Sequence, residues 1–520
     1  APAPLQVDLD GIAQRVAAFP VPESRFGKLA AAAGGKVLWT VLPIEGQQGR
    51  GGHKDASGRL EVFDFETRRT QELAPKADDF EIAADGHTLL LRDGKRLRAI
   101  AVDHRDDRRE GAGDADAPSR KTGWIDLQRV RVSVDPPLEW RQMLHEVWRL
   151  QRDRFWVADM SGVDWPAMLR RYEPLLPKVA TRAELSDLIW ELQGELGTSH
   201  AYEYDGDHRK PPALGLGQLA AELRLAPDDG SWEIARIVCG DAWDAQADSP
   251  LNAVGVEARV GERIVAVNGQ RVSPARPPQA LLVNQAGAKV ELTLAHGHGA
   301  AATTRDVLVT TLADEQPARY REWVEHNRAW VHRESAGRVG YLHLPDMMAD
   351  GFAEFHRYFG TECDRDALIV DLRFNRGGHV SELLLEKVAR KRIGANVSRW
   401  GRTLPYPEES AAGAVVALCN EHAGSDGDIF AHGFKLMGLG PLVGTRTWGG
   451  VIGIWPRVKL VDGTETTQPE YSFWFRDVGW SVENHGTDPT IEVDNAPQDA
   501  AAGIDRQLRT ALDEALRLAG

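Results

Sequence analysis

The sequence has few cysteines, no long apolar run and no excess of basic residues. Its three cysteines, Cys239, Cys363 and Cys419, are spread along 520 residues, which predicts unpaired thiols in a reducing compartment. No run of about 18 apolar residues occurs, so no transmembrane helix is predicted. The net charge of -15 argues against a nucleic-acid partner, which requires a basic face, and against a role at a membrane surface.

Targeting and metal-binding signals are also missing from the sequence. The opening stretch APAPLQVDLD has neither the basic region nor the apolar segment of a secretory signal, so a cytoplasmic location is expected. The first residue is Ala rather than Met, so we expect a processed part of a longer chain. No HExxH phrase, paired CxxC or acidic cluster suits a metal ion. The sequence therefore predicts no metal and no cofactor.

The composition is that of ordinary globular protein, with 42% hydrophobic and 27% charged residues. The length predicts several domains. We divide the chain into incomplete β-propeller-like blades, a helical core domain, a PDZ-like domain and an α/β core domain. Their predicted bounds are residues 1–125, 126–209, 210–315 and 316–520. The predicted fold class is therefore multidomain, combining β and α/β parts.

Short β-like runs separated by Gly-containing turns fill residues 1–125. The repetition suggests propeller blades, but only about two are present, and closed propellers have typically four to eight. A small β-sandwich remains an alternative. Residues 105–121 are charged and lack apolar periodicity, which predicts an exposed linker.

Helical periodicity follows, and the last helix of this region begins at a capping-box pair, Thr181 and Glu184. Gly197 is expected to stop that helix, and Ser199-His200 comes directly after it. A side chain at this position is held rigidly and can face a cleft. A single histidine is more often structural than catalytic, and the sequence contains 16 of them, so position alone does not choose among them.

The phrase GERIVAVNGQRV, residues 261–272, predicts two short strands joined by a tight Asn-Gly hairpin. In its context the phrase resembles the signature of a PDZ domain. Such domains bind a peptide end by adding it as a strand to a sheet edge. Other small β-barrels also use Asn-Gly hairpins, so the phrase is only moderately specific.

The stretch AVVALCNEHAGSDGDIF, residues 414–430, predicts a buried strand that turns at Ser425 directly into a helix. A turn of this kind exposes a nucleophilic hydroxyl, and the helix N-terminus faces developing negative charge. The alternative is that Ser425 is only an N-cap, a role in which Ser is favoured. Taken alone, the stretch favours the N-cap.

Strands and helices alternate from residue 338 onward, which predicts an α/β core with a mixed sheet that bears Ser425. Functional loops are expected at the carboxyl ends of its strands. The Gly377-Gly378 turn and Ser425-Asp426 would then lie on the same edge. The backbone amides of Gly378 and Asp426 would form a two-donor oxyanion hole.

Five phrases together resemble the tricorn family of serine peptidases: GHVSELLLEKVARKRIG, AGSDGDIF, GTRTWGG, TQPEYSFWF and VENHGTDP. The domain order is similar too. The resemblance implies a cytoplasmic hexamer that trims oligopeptides released by the proteasome, with aminopeptidases completing the digestion. It implies the following site: Ser425 as nucleophile, His200 as base, Ser199 and Glu483 as a relay, and the amides of Gly378 and Asp426 as oxyanion donors.

The chain departs from the family pattern in two respects. Asn396 stands where the family has an acidic residue that selects basic side chains, so we expect weaker trypsin-like and relatively stronger chymotrypsin-like preference. The family's first propeller, with its substrate-anchoring arginines, is also missing. We expect either a longer parent chain or a different route for the substrate.

Three alternatives compete with this assignment. A C-terminal processing peptidase needs a Lys base after the Ser-bearing helix, and Gly449-Gly450 stands there instead. An α/β-hydrolase is disfavoured because Ala423 replaces the first Gly of G-x-S-x-G. A non-catalytic scaffold would bind peptides while Ser425 only caps a helix.

Overall fold

The structure, a computed structural model, divides into two compact units, Ala1–Val134 and Asp135–Gly520. The described residues are 7–43, 58–104, 117–226, 228–297, 302–455 and 458–520. Most of the predicted linker at 105–121, and the N-terminal residues 1–6, lie outside them.

Two antiparallel sheets make up the first unit. The strands are β1 (Arg25–Ala32), β2 (Lys36–Leu42), β3 (Gly58–Asp64), β4 (Arg69–Ala77), β5 (Asp79–Ile82), β6 (Thr88–Asp93) and β7 (Arg96–Ala101). They form two up-and-down meanders, β1 to β4 and β5 to β7. Leu38, Leu60 and Leu89 are fully buried in their common core. The β character predicted for this region is confirmed.

The second unit begins with a helical part, whose elements are α1 (Pro136–Arg154), α2 (Trp165–Tyr172), α3 (Arg182–Gly194) and β8 (Glu203–Tyr204). The predicted capping box starts α3: Thr181 Oγ1 accepts from Glu184 N at 3.3 Å, and Glu184 Oε2 accepts from Thr181 N at 3.1 Å. Leu144 and Ile189 are completely buried between the helices. Gly197 has a φ of 60° and follows the end of α3, as expected.

A sheet with the order β14-β13-β11-β10-β9 forms the PDZ-like part. Its elements are β9 (Ala221–Leu225), β10 (Trp232–Ile237), β11 (Arg263–Val267), β12 (Gln270–Arg271), α4 (Pro278–Leu281), β13 (Lys289–His296) and β14 (Thr303–Thr310). Asn268 and Gly269 have φ values of 49° and 70°. A type I′ hairpin turn requires such a left-handed pair, so the predicted hairpin is confirmed.

The rest of the chain is the α/β core. Its helices are α5 (Gln316–Glu334), α6 (Ala349–Glu362), α7 (Ser381–Val388), α8 (Asp426–Leu436), α9 (Pro497–Ala501) and α10 (Arg506–Ala519). Its strands are β15 (Val339–His343), β16 (Ala367–Asp371), β17 (Gly394–Asn396), β18 (Leu404–Tyr406), β19 (Ala414–Cys419), β20 (Leu442–Gly444), β21 (Gly453–Ile454), β22 (Glu465–Thr466), β23 (Pro469–Tyr471) and β24 (Ile491–Glu492). The central sheet has the order β15-β16-β19-β20-β24.

The predicted fold class is confirmed, and one detail differs. A mixed sheet was expected, whereas all four pairings of the described central sheet are parallel. The connections explain this, because helices α6, α7 and α8 lie between successive strands and return the chain to the same end of the sheet. Every residue of β15 and β16 is buried, as parallel strands covered on both faces require.

Helix α10 is amphipathic, and it buries Leu508, Ala511, Leu512 and Ala515 against the central sheet. This i, i+3, i+4, i+7 spacing produces one apolar stripe on an otherwise polar helix. In the part of the chain that the structure describes, no helix is both long and apolar enough to cross a bilayer.

The helical part is joined to the α/β core by strand pairing and buried polar contacts. Strand β8 pairs with β22. Gln151 donates to the Thr467 carbonyl at 2.9 Å, and the buried Arg182 pairs with Glu203 at 3.0 Å and Asp462 at 2.7 Å. Buried charges persist only when they are paired in this way, so the two parts are fixed in one relative position.

Candidate active site

Ser425 lies at the tight turn between the buried strand β19 and helix α8. Its backbone dihedrals are φ 57° and ψ -121°, a region that residues other than Gly rarely adopt. Such a conformation costs about 1–3 kcal/mol and is commonly found at functional sites. The predicted strand-turn-helix arrangement is therefore present, in a strained form.

The Ser425 hydroxyl is not used as a helix cap. Ser425 occupies the N-cap position of α8, but its side chain makes no capping hydrogen bond. The alternative in which Ser425 serves only as a cap lacks the hydrogen bond that defines that role. Since α8 begins at Asp426, the amides of its first turn lie next to this hydroxyl, and among them the Gly427 amide donates to the Gly424 carbonyl at 2.9 Å.

The Gly377-Gly378 turn lies directly against Ser425. An added Cβ at Gly377 would come within 2.4 Å of the Ser425 Cβ and 2.9 Å of the Gly424 carbonyl, and the φ of Gly377 is 76°. Asn375 Oδ1 accepts from Gly377 N at 2.9 Å, and the Asn375 carbonyl accepts from Gly424 N at 2.9 Å. Only glycine fits this close approach.

The Gly378 amide faces away from the neighbouring Met347 backbone. Met347 N donates to the Gly377 carbonyl, and the Met347 carbonyl accepts from His379 N, both at 2.8 Å. In a parallel bridge of this type the residue between those two partners, here Gly378, directs its own N–H to the other side. This orientation suits a donor in an oxyanion hole.

The Asp426 carboxylate binds the first residue of α7. It accepts from Ser381 N at 2.9 Å and also from the Ser381 hydroxyl. Ser381 begins α7, close behind Gly378, so the N-termini of α7 and α8 are linked. Burial raises the pKa of Asp426, and its hydrogen bonds to Ser381 partly offset that effect.

His200 is held by Ser199 and Glu483 in a chain of hydrogen bonds. Ser199 Oγ donates to Glu483 Oε2 at 3.1 Å and lies 2.7 Å from His200 Nδ1. Because the hydroxyl hydrogen is directed to the carboxylate, the Ser199 oxygen accepts from Nδ1. The proton of the neutral ring is then on Nδ1, and Nε2 carries the free lone pair.

Glu483 accepts five hydrogen bonds, which hold both of its oxygens in place. All five come from groups that are distant from Glu483 in sequence, three backbone amides and two hydroxyls, and the set spans the helical part and the α/β core. The donors are Thr198 Oγ1, Ser199 N, Ser199 Oγ, Val451 N and Ile452 N. A carboxylate held in this manner is a rigid support for the relay.

The environment of His200 favours its neutral form. Burial lowers the pKa of His200 below its ordinary value of 6.5, and the negative charge of Glu483 partly opposes that shift. A neutral imidazole at physiological pH is able to accept a proton.

Trp448 brings the two halves of the site together. Its ring centroid lies 5.5 Å from that of His200, and a Cβ added at Gly424 would come within 2.8 Å of its indole. His200 and the turn that carries Ser425 therefore contact the same side chain. Among the described residues, Ser425 makes no hydrogen bond to His200; contacts of this kind commonly tighten only when substrate is bound.

Asn396 belongs to a different element from these residues. It ends the exposed strand β17, which pairs with β18 in a two-stranded ribbon where Asn396 lies opposite Leu404. Within the described chain its side chain makes no hydrogen bond to Ser425, His200 or any other residue.

Two residues of the site, Asp428 and Trp448, were not predicted from the sequence. Asp428 is completely buried and binds the loop that carries Trp448. The S-x-x-D spacing from Ser425 to Asp428 is a capping-box signature and was the available signal. Trp448 lies in the phrase GTRTWGG, which carries the resemblance, but nothing in that phrase indicated its contact with His200. Over the described residues, no group of three or more His, Cys, Asp or Glu side chains is arranged to hold a metal ion.

Three family models match the second unit. They are the tricorn protease C1 domain over residues 136–194, the tricorn protease PDZ domain over residues 217–314, and peptidase family S41 over residues 338–493. The resemblance inferred from short phrases is thus found along the helical, PDZ-like and α/β parts.

Relatives and a solved structure agree with these matches. The chain is 47% identical to Tricorn protease homolog 1 of Streptomyces coelicolor, over 99% of this chain and 47% of that protein. It is 38% identical to Tricorn protease of Thermoplasma acidophilum, over 88% of this chain and 41% of that protein. A crystal structure of the tricorn protease matches with a TM-score of 0.82 and 35% identity, over 95% of this chain and 46% of that chain.

The chain spans about half the length of the curated relatives that it matches. The similarity nevertheless covers nearly all of the chain itself and includes the region of every predicted site residue. The chain belongs to the tricorn-type serine peptidases of family S41.

Proposed function

We propose that the chain hydrolyses peptide bonds through an acyl-enzyme formed on Ser425, with His200 as general base. The observation that carries this proposal is the hydrogen-bonded chain from Glu483 through Ser199 to His200, which ends at Trp448, the side chain that packs on Gly424 in the Ser425 turn. The uncapped Ser425 hydroxyl at a helix N-terminus adds support.

In the acylation step, His200 Nε2 takes the proton of Ser425 Oγ while the oxygen attacks the substrate carbonyl. The tetrahedral intermediate collapses as the imidazolium returns that proton to the leaving amine. Water then attacks the acyl-enzyme with His200 again as base, which releases the acid product and restores the serine. Protons and bonds balance over this cycle without any further reactant.

The Gly378 and Asp426 amides would stabilise the oxyanion of both intermediates. Removal of one such donor typically costs about 3–4 kcal/mol in transition-state stabilisation. Ser199 would keep the Nδ1 tautomer of His200, and Glu483 would stabilise the imidazolium through Ser199. One intervening hydroxyl makes this support less direct than a carboxylate bound to the ring itself.

A Ser-Lys mechanism has less support. Lys435 donates to the Asp488 carbonyl, and Lys459 pairs with Glu465 at 3.4 Å. Both lysines therefore have partners outside the Ser425 turn. At the position where the Ser-Lys mechanism requires its lysine, the backbone amides of Gly449 and Gly450 bind Asp428.

The substrates and setting are part of the same proposal. We infer oligopeptides such as proteasome products as substrates, aminopeptidases as downstream partners, a cytoplasmic location and a homohexamer, all by similarity to the tricorn proteases. We also infer that Asn396 weakens selection of basic side chains. Division of the chain near residues 125, 209 and 315 remains our proposal for the domain bounds.

Hydrolysis of fluorogenic peptides by the purified chain tests the proposal. Ser425→Ala is expected to abolish turnover, and His200→Ala to reduce it about 1,000-fold or more, since members of such a site act as a unit. Ser398→Ala, which alters an exposed serine of the β17–β18 ribbon, is the matched control and should retain activity. Peptide binding without hydrolysis by the unaltered chain would instead support the scaffold alternative.

A further inference from the structure

Asp428 is a buried carboxylate that the proposed mechanism does not use. Its relative exposure is 0%. It lies in the first turn of α8, close behind Ser425, and accepts hydrogen bonds from the Thr447 hydroxyl, from Gly449 N at 2.8 Å and from Gly450 N at 3.3 Å. Burial of a charged carboxylate is costly unless it is fully hydrogen-bonded, so this set of donors accounts for its presence.

On one side, Asp428 is joined to the Ser425 turn through the first turn of α8, which begins directly after Ser425. Ile429 N donates to the Ser425 carbonyl at 3.2 Å, so the helix that carries Asp428 is continuous with this turn. The Ser425 hydroxyl makes no capping hydrogen bond, so the nucleophile stays free.

On the other side, Asp428 holds the loop that reaches the relay. Thr447, Gly449 and Gly450 flank Trp448, whose indole packs on Gly424 and contacts the His200 ring. The next two amides of this loop, those of Val451 and Ile452, donate to Glu483. The Asp428 carboxylate therefore connects the helix that follows Ser425 to the loop that reaches both Trp448 and Glu483, the two residues that help to hold His200 in place.

Thr447 is the second member of this clamp. While its hydroxyl donates to Asp428, it also accepts from Thr487 N at 2.8 Å. The Thr487 hydroxyl donates in turn to the Asp428 carbonyl at 3.3 Å. Each group in the ring is satisfied by the next, which makes the position of the loop sensitive to loss of any one.

We propose that Asp428 is a positioning residue that sets the Ser425 hydroxyl relative to His200 by clamping the 447–452 loop to the nucleophile turn. The inference rests on the proposed function and adds to it a group that touches neither substrate nor reacting atoms. Asn at this position keeps one acceptor oxygen for the Thr447 hydroxyl and Gly449 N, which both bond to Oδ1, but it turns its N–H2 towards Gly450 N, so the clamp is weakened although the shape is nearly kept.

Steady-state hydrolysis and fluorophosphonate labelling of the full chain test the proposal. Asp428→Asn is expected to lower kcat and the labelling rate about 10- to 100-fold, as small displacements of reacting groups do, while KM changes by no more than about twofold. Asp499→Asn is the control, because Asp499 is also buried but pairs with Arg506 in a part of the chain remote in sequence from Ser425. It should leave kcat unchanged.

A second pair of variants keeps the test decisive if Asp428→Asn fails to fold. Thr447→Val removes the hydroxyl at nearly constant volume and should also lower kcat. Thr447→Ser keeps the hydroxyl, so its kcat should stay within about twofold of that of the unaltered chain. Equal kcat for the Val and Ser variants, or a change confined to the melting temperature, overturns the positioning role alone. Absence of labelling in the unaltered chain overturns the proposed function and this inference with it.

Discussion

The protonation state of His200 determines the pH range in which the site can work. Burial holds the pKa of His200 below 6.5. The base must be neutral, so kcat/KM should be maximal at neutral pH and fall as the pH drops through this lowered pKa, where the imidazole becomes charged. A pH profile of kcat/KM measures this fall in activity at acidic pH, the acid limb of the profile. An acid limb with its midpoint above pH 6.5 would contradict a buried environment for His200.

Two variants assign that acid limb. Glu483→Gln removes the negative charge that favours the imidazolium, so the limb should move to still lower pH while the maximum rate falls. Burial raises the pKa of Asp428 to about 6. The titration of Asp428 could therefore be mistaken for that of His200 in a pH profile. The limb should therefore persist in Asp428→Asn; its loss there would assign the titration to Asp428.

Asn396 offers a test of substrate preference at a single position. Asn396→Asp adds a negative charge at the position that we infer to set substrate preference, and it should raise the ratio of kcat/KM for Arg over Phe substrates about tenfold, equivalent to about 1.4 kcal/mol. The unaltered chain should prefer Phe. Val397→Asp places the same charge on the adjacent exposed residue and serves as control. An unchanged ratio in Asn396→Asp would remove Asn396 from the specificity determinants.

Ser425 was proposed from a strand-turn-helix pattern that carries its own signal, whereas His200 and Glu483 were proposed only from the resemblance to a known family. The roles of Asp428 and Trp448 were not predicted, although both lie in phrases that carry that resemblance, since these roles arise from contacts between segments distant in the chain. The partners of Asp428 begin at Thr447, and Trp448 meets His200 across more than two hundred residues of intervening sequence. A linear spacing rule reports on neighbours within a turn and cannot report on such contacts.

The glycine turn before α7 is the element whose backbone approaches the nucleophile most closely. Gly377→Ala should reduce fluorophosphonate labelling about 100-fold or more, because the new methyl group would overlap the Ser425 side chain. Gly438→Ala is the matched control: its φ of +65° imposes similar backbone strain, but no atom lies within 4 Å of the added Cβ. The control should lose about 1–2 kcal/mol of stability and keep its labelling rate. Equal labelling rates of the two variants would show that the close contact between Gly377 and Ser425 does not affect the reactivity of Ser425.

The segment that holds His200 is a second element open to test. Thr467 Oγ1 donates to the His200 carbonyl at 2.6 Å and accepts from Tyr202 N at 2.8 Å. Thr467→Val leaves both partners unsatisfied and should cost about 1–3 kcal/mol, together with a fall in kcat. Thr467→Ser keeps the hydroxyl and should behave as the unaltered chain. Thermal unfolding and kcat, measured on both, check this, and loss of stability without loss of kcat would contradict a role in placing His200.

At the level of elements, long periodic helices and the Asn-Gly hairpin were predicted well because their signals are local. The parallel character of every pairing in the central sheet was not predicted, since strand direction depends on where each connecting helix returns the chain. The pairing of β8 with β22 was not predictable either: each has two residues, too few to show a period.

The proposed catalytic set is assembled from two parts of the second unit. Ser199 and His200 follow the helices of the C1 region, whereas Ser425 and Glu483 belong to the α/β core. Their relative position depends on the β8–β22 pairing and the buried contacts of Arg182. Activity is therefore a property of the docked molecule rather than of either part.

Covalent labelling of the whole chain by a fluorophosphonate, with the modified residue located by mass spectrometry, tests most directly whether Ser425 is a nucleophile activated by His200. We expect one adduct per chain, on Ser425, absent in Ser425→Ala and greatly slowed in His200→Ala although both variants remain folded. An unlabelled native chain, or an adduct that persists at another serine in Ser425→Ala, would contradict it.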